Sequence, residues 1–136
     1  MKIDGACTCG GITIEGEADP ETATICHCTD CQTASGSAFR VSIPVSGATL
    51  KVTGSPKHYV KTTAESGNPR VQGFCPSCGV HLYSTTPGEG QQVMYIVRGG
   101  ILKQRDKLVP KRQIWWRSAQ AWVTSLEGIK KVEKQA

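Results

Sequence analysis

Seven cysteines fall in three groups: Cys7-Thr8-Cys9, Cys26-His27-Cys28-Thr29-Asp30-Cys31 and Cys75-Pro76-Ser77-Cys78-Gly79. Thiolates grouped in this way are soft ligands suited to a tetrahedral ion such as zinc. In the third group two residues separate the sulfurs, so both can reach one ion while backbone amides turn toward them. Pro76 pre-sets that bend and Gly79 relieves it. A redox dithiol shares the spacing but needs a strand-to-helix setting, and strand-like sequence flanks this motif on both sides. A two-cysteine knuckle supplies half a tetrahedron. The other half comes from Cys7 and Cys9 or from two of the central three. Cys-x-Cys on an extended chain puts both thiols on one face, because strand side chains alternate.

Taking Cys7, Cys9, Cys75 and Cys78 together gives a closed, structural four-thiolate site. Cys26, Cys28 and Cys31 then offer three ligands and an open fourth position, the arrangement that separates catalytic from structural zinc. His27 could close that site. With residues 26–28 extended, however, it points away from the face that carries Cys26 and Cys28, so a packing or hydrogen-bonding role is expected. His58 and His81 lie in strand-like segments and read as ordinary half-exposed or core histidines. Two structural zincs, or an iron–sulfur cluster, are the competing uses of the seven thiols, and the spacings do not match the usual cluster motifs.

Zinc held by three thiolates carries a net negative charge and is a poor generator of hydroxide. Its expected chemistry is to take up a soft substrate thiol and keep it ionised at neutral pH. A thiolate held beside an electrophilic carbonyl forms or breaks a hemithioacetal.

The elements that must position these groups are short. Turn signals at Gly10-Gly11, Asp19-Pro20, Gly36, Ser46-Gly47, Gly54-Ser55-Pro56, Ser66-Gly67-Asn68-Pro69, Pro87-Gly88-Glu89-Gly90 and Gly99-Gly100 recur every 10–15 residues. Between them lie β-rich runs at Ile12–Ile14, Val41–Ile43, Leu50–Val52, Val71–Phe74 and Gln92–Val97. The chain reads as one mostly β domain of 136 residues. Helix is expected at about Thr29–Ser35 and in the tail, where Thr124-Ser125-Leu126-Glu127 matches a capping box; about 125–136 is helical or loose. With only eight aromatics, the core is thin, and a structural metal would help hold it.

Three motifs resemble the CENP-V/GFA domain, whose type enzyme is glutathione-dependent formaldehyde-activating enzyme. They are Gly5-Ala6-Cys7-Thr8-Cys9-Gly10-Gly11-Ile12, Cys26-His27-Cys28-Thr29-Asp30-Cys31 with Gly36-Ser37, and Phe74-Cys75-Pro76-Ser77-Cys78-Gly79. A weaker likeness runs through Val97-Arg98-Gly99-Gly100-Ile101-Leu102 to Trp122. The resemblance implies an Mss4-like, zinc-containing β fold with short strands and two zincs per chain. It assigns Cys7, Cys9, Cys75 and Cys78 to the structural ion and Cys26, Cys28 and Cys31 to the catalytic one. The activity it implies is carbon–sulfur lyase chemistry, joining glutathione and formaldehyde as S-hydroxymethylglutathione or cleaving that adduct. Gln113 departs from a histidine common among relatives. Arginine forks bind carboxylates, so Arg40, Arg98 and Arg112 are candidates for the two carboxylates of glutathione. Ser35-Gly36-Ser37 reads as a turn or as a source of backbone amides for a ligand. Trp115 and Trp116 are adjacent, so in a strand one faces the core and the other the opposite side. One of that pair and Trp122 are expected in the core, with a pocket wall as the sharper alternative.

The alternative class is a non-catalytic module with two structural zincs and a basic C-terminal face. Residues 98–136 hold ten Lys/Arg against three acids, and residues 1–97 hold six against eight. The basic residues are scattered, so nucleic acid is not the expected partner. Met1–Cys7 has no apolar leader segment, and no run approaches the roughly 18 apolar residues of a membrane span. The expectation is a cytoplasmic chain with reduced cysteines.

Overall fold

Residues 1–88, 90 and 92–135 are described by the computed structural model. Among them the β-rich runs become strands bounded by the expected turns. They are β1 (Lys2–Ala6), β2 (Thr13–Glu17), β3 (Thr24–Cys26), β4 (Arg40–Ser46), β5 (Lys51–Thr53), β6 (Lys57–Lys61), β7 (Arg70–Phe74), β8 (His81–Thr85), β9 (Met94–Arg98) and β10 (Arg112–Ile114). The α-helix, α1, spans Thr29–Ser35, as the sequence predicts. Short 3₁₀ turns complete the described helical structure.

Two sheets form. One has the order β1-β2-β5; the other runs β10-β3-β4-β9-β8-β7-β6. Neighbours are antiparallel except β10, which lies parallel to β3 at the edge of the larger sheet. Ile3 and Ile14 from the smaller sheet pack with Ile43, Val45, Leu82, Val97 and Leu102 in one buried cluster.

Strand alternation divides the larger sheet into two chemistries. Ile43, Val45, Tyr83 and Val97 are buried in the core. Their even-numbered neighbours Arg40, Ser84, Ile96, Arg98, Arg70 and Gln72 line a cleft. Register brings these together, pairing Cys26 with Arg40, Ser84 with Ile96 and Gln72 with Ser84.

The smaller sheet meets the turn that follows β9 at Gly5, which bridges Leu102. A Cβ built there would lie 2.2 Å from the carbonyl oxygen of Ile101. That obstacle is backbone, so no side-chain rotation relieves it. Gly5→Ala is expected to destabilise the fold by about 1–3 kcal/mol through overpacking, read as a lowered midpoint in urea denaturation. An unchanged midpoint would mean that the two sheets are free to slide apart.

The capping box in the tail does not open an α-helix. Residues Ala121–Gly128 form 3₁₀ turns broken at Ser125, whose φ is −118°. Thr124 does not cap a helix; its hydroxyl donates to the Ala121 carbonyl at 3.3 Å. Gly128 and the β-branched pair Val123-Thr124 weaken helix here. Trp122, Leu126, Ile129 and Val132 stay about half exposed, so no packing compensates.

Candidate metal centres and the arginine-lined cleft

The two ends of the first site are matching hairpin tips. Beyond β1 the chain turns back, with the Gly10 amide donating to the Cys7 carbonyl and the Cys7 amide to that of Ile12, both at 3.1 Å. Beyond β7 the Gly79 amide donates to the Cys75 carbonyl at 2.8 Å and the Cys75 amide to Val80 at 2.9 Å. Gly10 and Gly79 have φ of +76° and +77°, a region glycine enters without strain. Cys7-Thr8-Cys9 is therefore a turn and not an extended pair. Its thiols converge because the backbone reverses, and the amides of Gly11 and Ile12 point at Cys9 and Cys7 sulfur at 3.4 Å.

Cys7, Cys9, Cys75 and Cys78 hold their sulfurs within 4.8 Å of one another. The Sγ separations are 3.6 Å for Cys7–Cys9 and 3.7 Å for Cys9–Cys75. Thiolates about 2.3 Å from a tetrahedral zinc would lie about 3.8 Å apart. The donor set fits a soft tetrahedral ion, and this four-thiol cluster could hold one.

Cys26, Cys28 and Cys31 form a second cluster within the same 4.8 Å limit. Cys26 ends β3; Cys28 is the N-cap of α1, its sulfur accepting from the Cys31 amide at 3.3 Å. The helix start thus gathers Cys28 and Cys31 over the strand end that carries Cys26. Hydrogen bonding from Cys31 draws the Cys26 thiol down, and Arg40 adds to this; the Cys31 thiol is raised in consequence. The three-thiol set also fits a soft metal ion. Unlike the four-thiol cluster, it opens on a cleft of about 510 Å³.

His27 is fully buried and turned away from the three thiols. Its Nε2 lies 2.7 Å from the Oε1 of Gln113, and its ring meets Phe39 and Trp116 edge to face. Gln113 thus fixes the imidazole from β10, a role invisible without the parallel β3–β10 pairing. His27→Ala should cost about 2–4 kcal/mol by opening a cavity where a fully buried ring now packs on Phe39 and Trp116, while leaving metal per chain unchanged by elemental mass spectrometry. A loss of one ion would make His27 a ligand. His58 bonds Tyr83 through Nε2 at 2.7 Å, and His81 stacks on Phe74; neither joins a cysteine cluster.

Of the three candidate arginines, Arg40 and Arg98 line the cleft. Arg112 does not: its Nε donates to Thr24 Oγ1 at 3.1 Å. Arg70, which the sequence reading omitted, lines the cleft beside Gln72. Ser35-Gly36-Ser37 is a turn outside the cleft, with Gly36 closing α1 at φ +64°. The tryptophans depart from the expected core: Trp115, Trp116 and Trp122 are 38%, 50% and 47% exposed. Trp115 instead walls the cleft in the left-handed region at φ +57°, a costly conformation for a bulky residue. Arg117 lies over its ring at 4.9 Å and pairs with Glu65 at 2.7 Å, while Lys61 pairs with Asp30 at 3.0 Å. These pairs hold the end of β6 and the 62–69 loop against other residues of the cleft lining.

A family model described as glutathione-dependent formaldehyde-activating enzyme matches residues 2–118. The crystal structure of a Rhodobacter sphaeroides protein is similar in fold, with a TM-score of 0.60 at 22% identity over 81% of this chain and 98% of that one. No curated protein matches the sequence.

Proposed function

The chain belongs to the glutathione-dependent formaldehyde-activating enzyme family, and from that membership we propose that it is a zinc-dependent carbon–sulfur lyase-like enzyme. Its reaction joins a thiol and an aldehyde, or separates them, and glutathione with formaldehyde is the pair the family points to. In the forward direction the thiol sulfur bonds to the carbonyl carbon, the C=O π bond breaks, and the thiol proton ends on the new hydroxyl. The observation that carries this reading is that the three-thiol cluster opens on the cleft while the four-thiol cluster sits apart from it.

Cys7, Cys9, Cys75 and Cys78 would hold a structural zinc. Cys26, Cys28 and Cys31, which line the cleft, would hold the reactive one. Zinc bound there would keep a substrate thiol ionised at neutral pH. The chain's own contribution is placement. Cys28 is oriented by capping α1, and the buried His27, bonded to Gln113 of β10, fixes the backbone between Cys26 and Cys28. Arg40 and Arg98 supply positive charge beside the sulfurs. Trp115 and the pinned 62–69 loop narrow access for water.

Exchange NMR on mixtures of glutathione and ¹³C-formaldehyde tests the reading. The protein should speed interconversion with S-hydroxymethylglutathione well beyond the uncatalysed rate, and exchange at the background rate would reject that substrate pair.

A further inference from the structure

Among the described residues, three guanidiniums meet on the cleft wall with no carboxylate paired to them. Nε and one Nη of Arg40 are buried and make no hydrogen bond to the described residues. Arg70 donates to Ser84 Oγ and Arg98 to the Ile96 carbonyl, each at 3.5 Å, beyond the usual range for N–H···O bonds. The cleft's two carboxylates are engaged elsewhere, Asp30 with Lys61 and Thr63, and Glu65 with Arg117. Buried donors left unmade are costly, so this wall has the form of a site awaiting an anion.

We infer that Arg40, Arg70 and Arg98 form a subsite for a carboxylate carried by the substrate thiol, so that the enzyme selects acidic thiols over neutral ones. The inference rests on the thiol–aldehyde reading above. Guanidinium forks match a carboxylate's two oxygens. A divalent ion among three thiolates leaves one net negative charge against three positive guanidiniums; a substrate thiolate and one carboxylate bring the sum to zero. Register sets the two subsites side by side, because Cys26 and Arg40 are paired across β3 and β4. A thiol whose carboxylate is a few bonds from sulfur spans both.

Isothermal titration of the metal-loaded protein with 3-mercaptopropionate, 2-mercaptoethanol and succinate tests this. The acidic thiol should bind about 30-fold tighter than the neutral one, the size of a charge-assisted fork. Arg70→Gln, with metal content and circular dichroism intact, should reduce that preference to about threefold. If that variant does not fold, Arg70→Lys, which keeps the charge and loses the fork, should still cut the preference at least about threefold. Equal affinities in the wild type, or a preference that survives these substitutions, would overturn the subsite. If neither thiol binds, the thiol reading fails on its own, and succinate decides: binding that depends on Arg70 keeps the carboxylate subsite, and no binding removes it.

Discussion

A Cys78→Ser protein is expected to lose its cooperative unfolding transition altogether. The four-thiol cluster joins the hairpin tip after β1 to the tip between β7 and β8, so one ion held there would tie the small sheet to the large one. A structural zinc can contribute on the order of 10 kcal/mol to folding, against about 5–15 kcal/mol of total stability for a typical domain. The apolar core offers little reserve. Apart from His27 and Cys75, its fully buried large side chains are aliphatic and few, with no tryptophan or phenylalanine among them. Removing one thiolate both weakens metal binding and frees two tips that Gly10 and Gly79 allow to relax. Circular dichroism melting with and without a strong chelator measures this. The wild type with chelator should resemble the variant without it. A sharp transition in the variant, shifted by less than about 5 °C, would mean that the sheets hold together unaided.

Cys28→Ser should behave in the opposite way: thiol–aldehyde turnover falls by more than about 100-fold while the melting midpoint barely moves. Losses of about 10–100-fold follow when only an outer partner of a ligand is removed, and losing a ligand should exceed that. The fold is spared because Cys28 sits at the N-cap of α1, where its sulfur accepts from the Cys31 amide. Serine is among the best residues for that position. The four-thiol cluster is untouched. Exchange NMR and a melting curve on one preparation read both quantities, and elemental mass spectrometry should find about one metal per chain in place of two. Unfolding in step with lost activity would instead make both clusters structural, as the module reading requires.

The three cysteine groups were legible because they are local in sequence, but which group completes the Cys75–Cys78 knuckle was not: spacing left Cys7 and Cys9 or two of the central three. The family resemblance favoured Cys7 and Cys9, and the structure brings those two together with Cys75 and Cys78, and Cys26 with Cys28 and Cys31. Helix α1 was legible for a similar reason, since its start and its Gly36 stop lie within eight residues. The cleft wall was not. Arg70 shares a face with Arg98 only through a register running from β7 through β8 to β9, a relation between residues far apart in sequence. Arg112 looked equivalent to Arg98 in composition, but the edge placement of β10 sends it to Thr24. Trp115 and Trp116 carry a strong apolar signal that predicts core, yet the left-handed backbone at Trp115 turns the chain out along the cleft. The capping box at Thr124 failed because a local signal cannot hold a helix that has no face to bury.

The parallel pairing of β10 with β3 has a consequence for the order in which the parts become available during synthesis. All four thiols of the closed cluster have emerged once residue 78 is made, and the trio is complete far earlier, at residue 31. The strand that flanks Cys26, the glutamine that fixes His27, and the cleft residues Ile114, Trp115 and Arg117 come more than 30 residues after Cys78. Domains made on the ribosome tend to settle from the N-terminal side. The fastening therefore closes before the reactive pocket acquires its last wall, and a chain halted before residue 112 would hold its three soft thiols without the enclosure that makes them selective.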